Sequence, residues 1–393
     1  MKRGLKIKHL ITSFWENKMI RKFFYSSLCI VMLTGLAFGF DVTMEPCLND
    51  VVPQMTDIKF VSSDHAFITT QPGDIYWFQG CNEELQKLAT VDVATSSREL
   101  GLYSIAVAPD FSRSANVFLY YTAETDGRLT TRLSAFKLDR DKIPNALVKE
   151  KILLEINQPY TNSNGGVLRF GPDGLLYLGV GDGGDDGDPE GNAQNIHSIL
   201  GSIVRIKPAL NTPKGYTIPD GNLQDFITGA LPEIFAYGVH NPWKFTFDDD
   251  GNMIIADVGE HTIEEVDVIS WDMIGTQAIN LGWNIKEGDM CFNPSEGCDS
   301  PGLIDPVYQY EHYGDAGNSI TGGETIRLGD KEYYLFGDFM TGQLGVLDLE
   351  APATPVFEKR FESNWVTFAK NNVGCVYVAD YNSGTLYQIM LNP

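Results

Sequence analysis

Three stretches of this chain repeat one pattern, a polar turn ending in glycine followed by a short apolar strand that runs up to an aspartate. Gly171-Pro172-Asp173-Gly174 leads into residues 175–180 and Asp182, Asp248-Asp249-Asp250-Gly251 into 252–257, and Asn371-Asn372-Val373-Gly374 into 375–380. Pro, Asp, Asn and Gly are the residues that tight turns require, so each unit reads as a turn feeding a buried strand. A weaker copy, residues 64–70 followed by 73–78, reads as two paired strands of one sheet. Irregular spacing with long insertions is the signature of β-propeller blades rather than of a tight solenoid. Sustained helical periodicity is scarce, so the predicted class is all-β. Residues 196–199 read as a short helical turn stopped by Gly201.

The longest interruption falls between Gly179 and Gly191, where six glycines and four aspartates exclude both helix and strand interior. A polar loop at a strand end is where binding chemistry usually sits.

Met19-Ile20-Arg21-Lys22, the apolar run 23–40 and the small residues at Ala37-Phe38-Gly39 have the layout of a signal peptide over 1–39, with Met19 as a second candidate start. A retained membrane anchor is the competing reading, though Ser26, Ser27, Thr34 and Gly35 dilute the run. Residues 40–393 then form one domain, exported to a periplasm or secreted. The formal charge of −23 becomes more negative without the leader, which carries seven of the Lys and Arg residues and one acid. Such a charge disfavours nucleic acid or an anionic membrane as partner and is compatible with calcium. Cys291 and Cys298 bracket a turn-forming loop, and Cys47 with Cys81 would tie the N-terminal segment to the first blade, as disulfides do in exported proteins. Cys375 falls in a predicted strand and reads as a buried free thiol. No Cys-x-x-Cys pair with a histidine partner points to zinc.

Ordered motifs along nearly the whole mature chain resemble the soluble glucose/sorbosone dehydrogenase family, quinoproteins that use pyrroloquinoline quinone (PQQ) and calcium on a six-bladed β-propeller. That family includes the propeller of hedgehog-interacting proteins. GLYSIAVAPDF at 101–111 resembles the family's GLLGIAFHPDF. Asn164-Gly165-Gly166, FGPDGLLYLGVGDGG at 170–184 and DPEGNAQN at 188–195 follow, and PEIFAYGVHNPWKFTF at 232–247 resembles PEIYAYGLRNPWRFSF. Asp257-Val258-Gly259, Glu264-Glu265, Leu281-Gly282-Trp283 and Leu335-Phe336-Gly337-Asp338-Phe339 complete the order.

The resemblance implies oxidation of a sugar C1 hydroxyl by hydride transfer to PQQ, with an electron acceptor to reoxidise it. It also locates departures. The family's base, the histidine of HNGG, is Ser163 here; its RNPW arginine is His240; and a glutamine ahead of the GLLG segment is Glu99. In one reading His240 takes over as base, since imidazole titrates near neutrality. Lys244, Arg169 or Arg327 then replaces the missing cation, and Glu99, Asn164, Asn241, Lys244 and Arg327 contact the cofactor. In the other, PQQ is lost and the propeller is a catalytically inactive exported module that binds carbohydrate or protein. Calcium is expected at Glu265 first, with Glu264 and a carbonyl of Gly259, because hard oxygen donors suit it. Asp182, Asp185, Asp186 and Asp188 form a second oxygen-rich loop without EF-hand spacing, and read more simply as solvated acids. The sequence lacks the glycine-rich, Walker and nucleophile-elbow motifs of nicotinamide, nucleotide and serine-hydrolase chemistry.

Overall fold

A computed structural model describes residues 40–48, 51–313 and 317–392; the expected leader, 1–39, lies outside the described residues. The strands form six four-stranded units, with one extra strand in the third and a separate two-stranded ribbon, Lys286–Glu287 with Met290–Cys291. Each of the three turn-strand units begins as read. Gly174, Gly251 and Gly374 have φ of 74°, 88° and 89°, and each donates its N–H to the carbonyl three residues back, on Gly171, Asp248 and Asn371. The strands that follow, Leu176–Val180, Met253–Val258 and Val376–Asp380, are the second strands of blades 3, 4 and 6. Ala66–Thr70 and Asp74–Phe78 pair antiparallel in blade 1, as expected. Residues 196–199 form turns rather than a helix, with Ser198 N–H donating to Asn195.

Between each pair of consecutive blades lies one apolar cluster. Phe67 and Leu119 join blades 1 and 2, Phe118 and Leu178 blades 2 and 3, Tyr177 and Ile255 blades 3 and 4. Ile254 and Phe336 join blades 4 and 5, Leu335 and Phe368 blades 5 and 6, and Ile68 with Tyr377 brings blade 6 against blade 1. Because a β-sheet buries both faces only when flanked, this succession closes the ring and covers the apolar faces of the blades.

The last blade is completed by the other end of the described chain, Asp41–Pro46 pairing antiparallel with Leu386–Asn392. Cys47, directly after that strand, is disulfide-bonded to Cys81 of blade 1. The bridge therefore pins the seam where the ring closes. Its 34-residue separation gives a chain-entropy contribution of roughly 3–4 kcal/mol. Cys47→Ser/Cys81→Ser is expected to melt roughly 4–6 °C lower than the parent in a thermal scan; an unchanged melting temperature would show that strand pairing alone holds the seam. Cys291 and Cys298 are also bonded. Cys375, expected as a free thiol, is disulfide-bonded instead, and no free cysteine remains among the described residues.

In five blades the innermost strand has a register shift near its first residues, at Met55/Asp57, Leu102/Ser104, Pro242/Lys244, Ile320/Gly322 and Trp365/Thr367. Bulges of this kind re-aim side chains where a sheet ends. All lie at one end of the ring, which also carries the glycine-rich loop 181–201 and the loop 259–262.

Candidate functional site

His240 immediately precedes the innermost strand of blade 4, Asn241–Phe247. Asp257, at the end of the neighbouring strand, fixes it by accepting the backbone N–H of His240 (2.8 Å) and of Asn241 (2.6 Å). The ring is buried beside Trp283, with centroids 4.9 Å apart. Its Nδ1 lies 2.5 Å from the carbonyl of Val258 and its Nε2 3.0 Å from Glu260 Oε2. Two acceptors against two ring nitrogens are satisfied together only by the imidazolium, which donates from both. Burial opposes that charge, but the Glu260 hydrogen bond and the fields of Asp182 and Asp257 outweigh it, and the pKa is pushed up to about 10. Burial would raise Glu260, yet the pairing with His240 holds it below the usual carboxylate range.

Ser163 approaches from the loop between blades 2 and 3, its Oγ 3.3 Å from His240 Nε2. It has φ of 49°, and its N–H donates to Glu99 Oε2 at 3.0 Å. Asn164 is buried, and neither its side-chain nitrogen nor its oxygen has a partner. Gly165 follows with φ of 73°, and a Cβ there would stand 2.4 Å from Gly179 O, so only glycine fits. Its N–H donates to Asn241 Oδ1 at 2.9 Å, tying the two loops together.

The floor and wall come from an insertion between the third and fourth strands of blade 4. Trp283 donates its indole N–H to Asp182 Oδ2 at 2.8 Å, and Phe292, one residue past Cys291, packs on Trp283 at 4.7 Å. Glu287 on the same insertion accepts the N–H groups of Glu260, His261, Thr262 and Ile263 on one oxygen and the Thr262 hydroxyl on the other. That carboxylate shapes the loop presenting Glu260.

Behind Asp257 the same strands bring together a second group. Asp257 and Glu265 face each other across the ladder, Asp267 lies two residues further on, and one carboxylate oxygen from each lies within 4.8 Å of the others. All three side chains are buried, and neither oxygen of Asp267 has a partner. Burial raises all three pKa values; repulsion within the group adds to the rise at Glu265 and Asp267, while the His240 charge works against it at Asp257. A buried cluster of hard oxygen donors with unpaired lone pairs has the chemistry of a calcium site.

A sequence profile for glucose/sorbosone dehydrogenases matches residues 53–365. The chain belongs to the glucose/sorbosone dehydrogenase family. It is 28% identical over 314 residues to the HIPL2 protein of Arabidopsis thaliana, across 64% of this chain and 44% of that protein, so it spans less than half the length of that relative. It is 25% identical over 239 residues to the aldose sugar dehydrogenase YliI of Escherichia coli K12, across 60% of each. The PQQ-bound aldose sugar dehydrogenase of Streptomyces coelicolor superposes with a TM-score of 0.70 at 20% identity, covering 90% of this chain and 98% of that one. This last likeness establishes the shared propeller.

Of the residues expected at a family-type site, Ser163, Asn164, His240, Asn241 and Glu99 meet at one end of the ring. His240 is there as a donor from both nitrogens, not as the base expected. Lys244 is buried deeper between blades, its Nζ donating to the carbonyls of Gly166 (2.9 Å) and Tyr103 (3.2 Å), and burial lowers it to about 8. Arg169 is paired with Glu324. Arg327 does not reach the site: its strand begins there at Ile320, and seven residues of extended chain carry Arg327 about 23 Å away, where it is exposed and paired with Asp249 at 2.6 Å. Glu264 is fully engaged, accepting Gly259 N–H, Ile320 N–H and His312 Nε2, so it clasps blades rather than joining the acidic cluster. Gly259 belongs to the same clasp, and a Cβ there would lie 1.8 Å from Ile263 O. Asp182 and Asp188 are buried and bonded within their loop, whereas Asp185 is exposed, as expected of a solvated acid, and Asp186, also exposed, lies 2.6 Å from His261 Nε2 and groups with Glu260.

Proposed function

We propose that this propeller is an exported quinoprotein that oxidises the C1 hydroxyl of an aldose. The observation that carries the reading is His240, held as an imidazolium at the position of the family's arginine. A ring with both nitrogens donating supplies the lasting positive charge that arginine supplies, in a smaller volume. Bound PQQ supplies a two-electron acceptor for the sugar's C1 hydride. The residues present suit such a ligand: the unpartnered amide of Asn164 offers a donor and an acceptor beside Ser163, and His240 offers charge to a carboxylate or quinone oxygen.

Calcium is assigned to Asp257, Glu265 and Asp267, where it would offset their repulsion and brace the strand end that seats His240. Export accords with the disulfides, and no helix among the described residues is long and apolar enough to cross a membrane. The electron acceptor would be a separate partner.

Glu260 favours a second reading. Its carboxylate already occupies His240 Nε2, as in a propeller that binds glycan or protein without redox chemistry. The two separate in an assay of the full mature chain with calcium, PQQ and an artificial electron acceptor. Aldose-dependent dye reduction that requires PQQ supports the dehydrogenase; none across pentoses, hexoses and disaccharides leaves the binding module.

A further inference from the structure

We propose that Glu99 is the group that accepts the C1 hydroxyl proton, so that the base has moved from position 163 to the adjacent loop between blades 1 and 2. The inference rests on the dehydrogenase reading above. The carboxylate reaches the backbone of the residue that replaces the family's histidine: Glu99 Oε2 accepts Ser163 N–H at 3.0 Å across 64 positions of sequence. Its other oxygen has no hydrogen-bond partner among the described residues.

The carboxylates around it are committed elsewhere. Asp182 accepts from Trp283 and Gly184, Asp188 from Asn192 and Ala193, Asp257 from His240 and Asn241, and Glu260 pairs with His240. Ser163 has no base of its own, because the His240 nitrogen beside it is a donor. Glu99 is also held in place. Gln71, on the turn between two strands of blade 1, donates through Nε2 to the carbonyls of both its neighbours, Arg98 and Leu100, and Tyr381 of blade 6 bonds to the other end of Gln71.

The chemistry balances with the groups named. As the C1–O bond becomes a carbonyl, the O–H proton passes to Glu99, and the C1 hydrogen leaves with its electron pair to the quinone. Loss of the proton from Glu99 to water resets the site, since part of its side chain is exposed. Although the residue as a whole is exposed, desolvation of its carboxyl group raises its pKa, against the pull of Ser163 N–H and the His240 charge, which makes it a stronger proton acceptor than a free carboxylate.

Glu99→Gln and Glu99→Asp of the full mature chain, with calcium, test this by two readouts, PQQ affinity from cofactor absorbance and steady-state sugar oxidation. The glutamine variant is expected to bind PQQ at least as tightly as the parent, because a negative charge near a tricarboxylate is gone, while kcat falls roughly 10²–10⁴-fold. The aspartate variant is expected to recover part of that loss. Turnover of the glutamine variant within a few-fold of the parent would overturn the proposal. So would a parallel loss of affinity and turnover in both variants, which marks a residue that only holds the Ser163 loop. Failure of the parent to bind PQQ would overturn the dehydrogenase reading and this inference together; failure of the Glu99 variants alone to behave as stated would leave that reading standing.

Discussion

His240→Gln is expected to lower turnover roughly 10²–10³-fold and to weaken PQQ binding, whereas His240→Arg retains most of both. The magnitude is that of removing one preorganised electrostatic donor from an enclosed site. Glutamine preserves a hydrogen-bond donor and removes the charge, so the contrast with arginine isolates charge. Glutamine also deprives the half-buried Glu260 of its closest partner, leaving only His261 at 3.8 Å, at a cost below the about 3–5 kcal/mol of breaking a fully buried pair. The control is His240→Gln/Glu260→Gln, which removes both charges; it is expected to recover the melting temperature of the parent without recovering activity. Had His240 been the base, arginine would be as inactive as glutamine. Steady-state kinetics beside thermal melts distinguish the cases.

Calcium is expected to raise the melting temperature of the metal-depleted protein. At free calcium 100-fold above Kd, binding to the folded state alone contributes about 2.7 kcal/mol, or roughly 3–5 °C for a domain of this size. Asp267→Asn should abolish most of that response. Both Asp267 oxygens are unpartnered and buried, so the substitution removes a charge that no protein group compensates. The metal-free variant is therefore expected to melt at or above the metal-free parent. A melting temperature indifferent to chelator in the parent would remove calcium from the account.

The fold was legible where local chemistry decides structure. Turns such as Gly171-Pro172-Asp173-Gly174 declare themselves through residues that tolerate their backbone angles, and the 66–78 hairpin as a weaker copy of the same turn-strand pattern. The candidate site was legible in membership more than in role. Ser163, Glu99 and His240 were identifiable by motif position, but the state of His240 depends on Glu260, whose approach is set by Glu287 on an insertion 27 residues away. No local signal carries that. Glu264 and Glu265 show what periodicity does offer. Neighbours on a strand face opposite ways, so Glu264 turns to His312 and Ile320 while Glu265 turns to Asp257. The same period of two placed Asp267 beside Glu265, a signal present in the sequence and passed over. Arg327 failed for the complementary reason, since a strand carries its far end away from the mouth.

The central claim, that this site holds a quinone against a fixed imidazolium and delivers sugar hydride to it, is tested most directly by titrating the mature protein anaerobically with PQQ in calcium. Cofactor absorbance is followed through saturation and then after addition of an aldose. Saturable binding at one equivalent per chain, followed by sugar-dependent bleaching that Glu99→Gln slows, is the predicted result. Absorbance that never departs from that of free PQQ at micromolar protein and cofactor would contradict it.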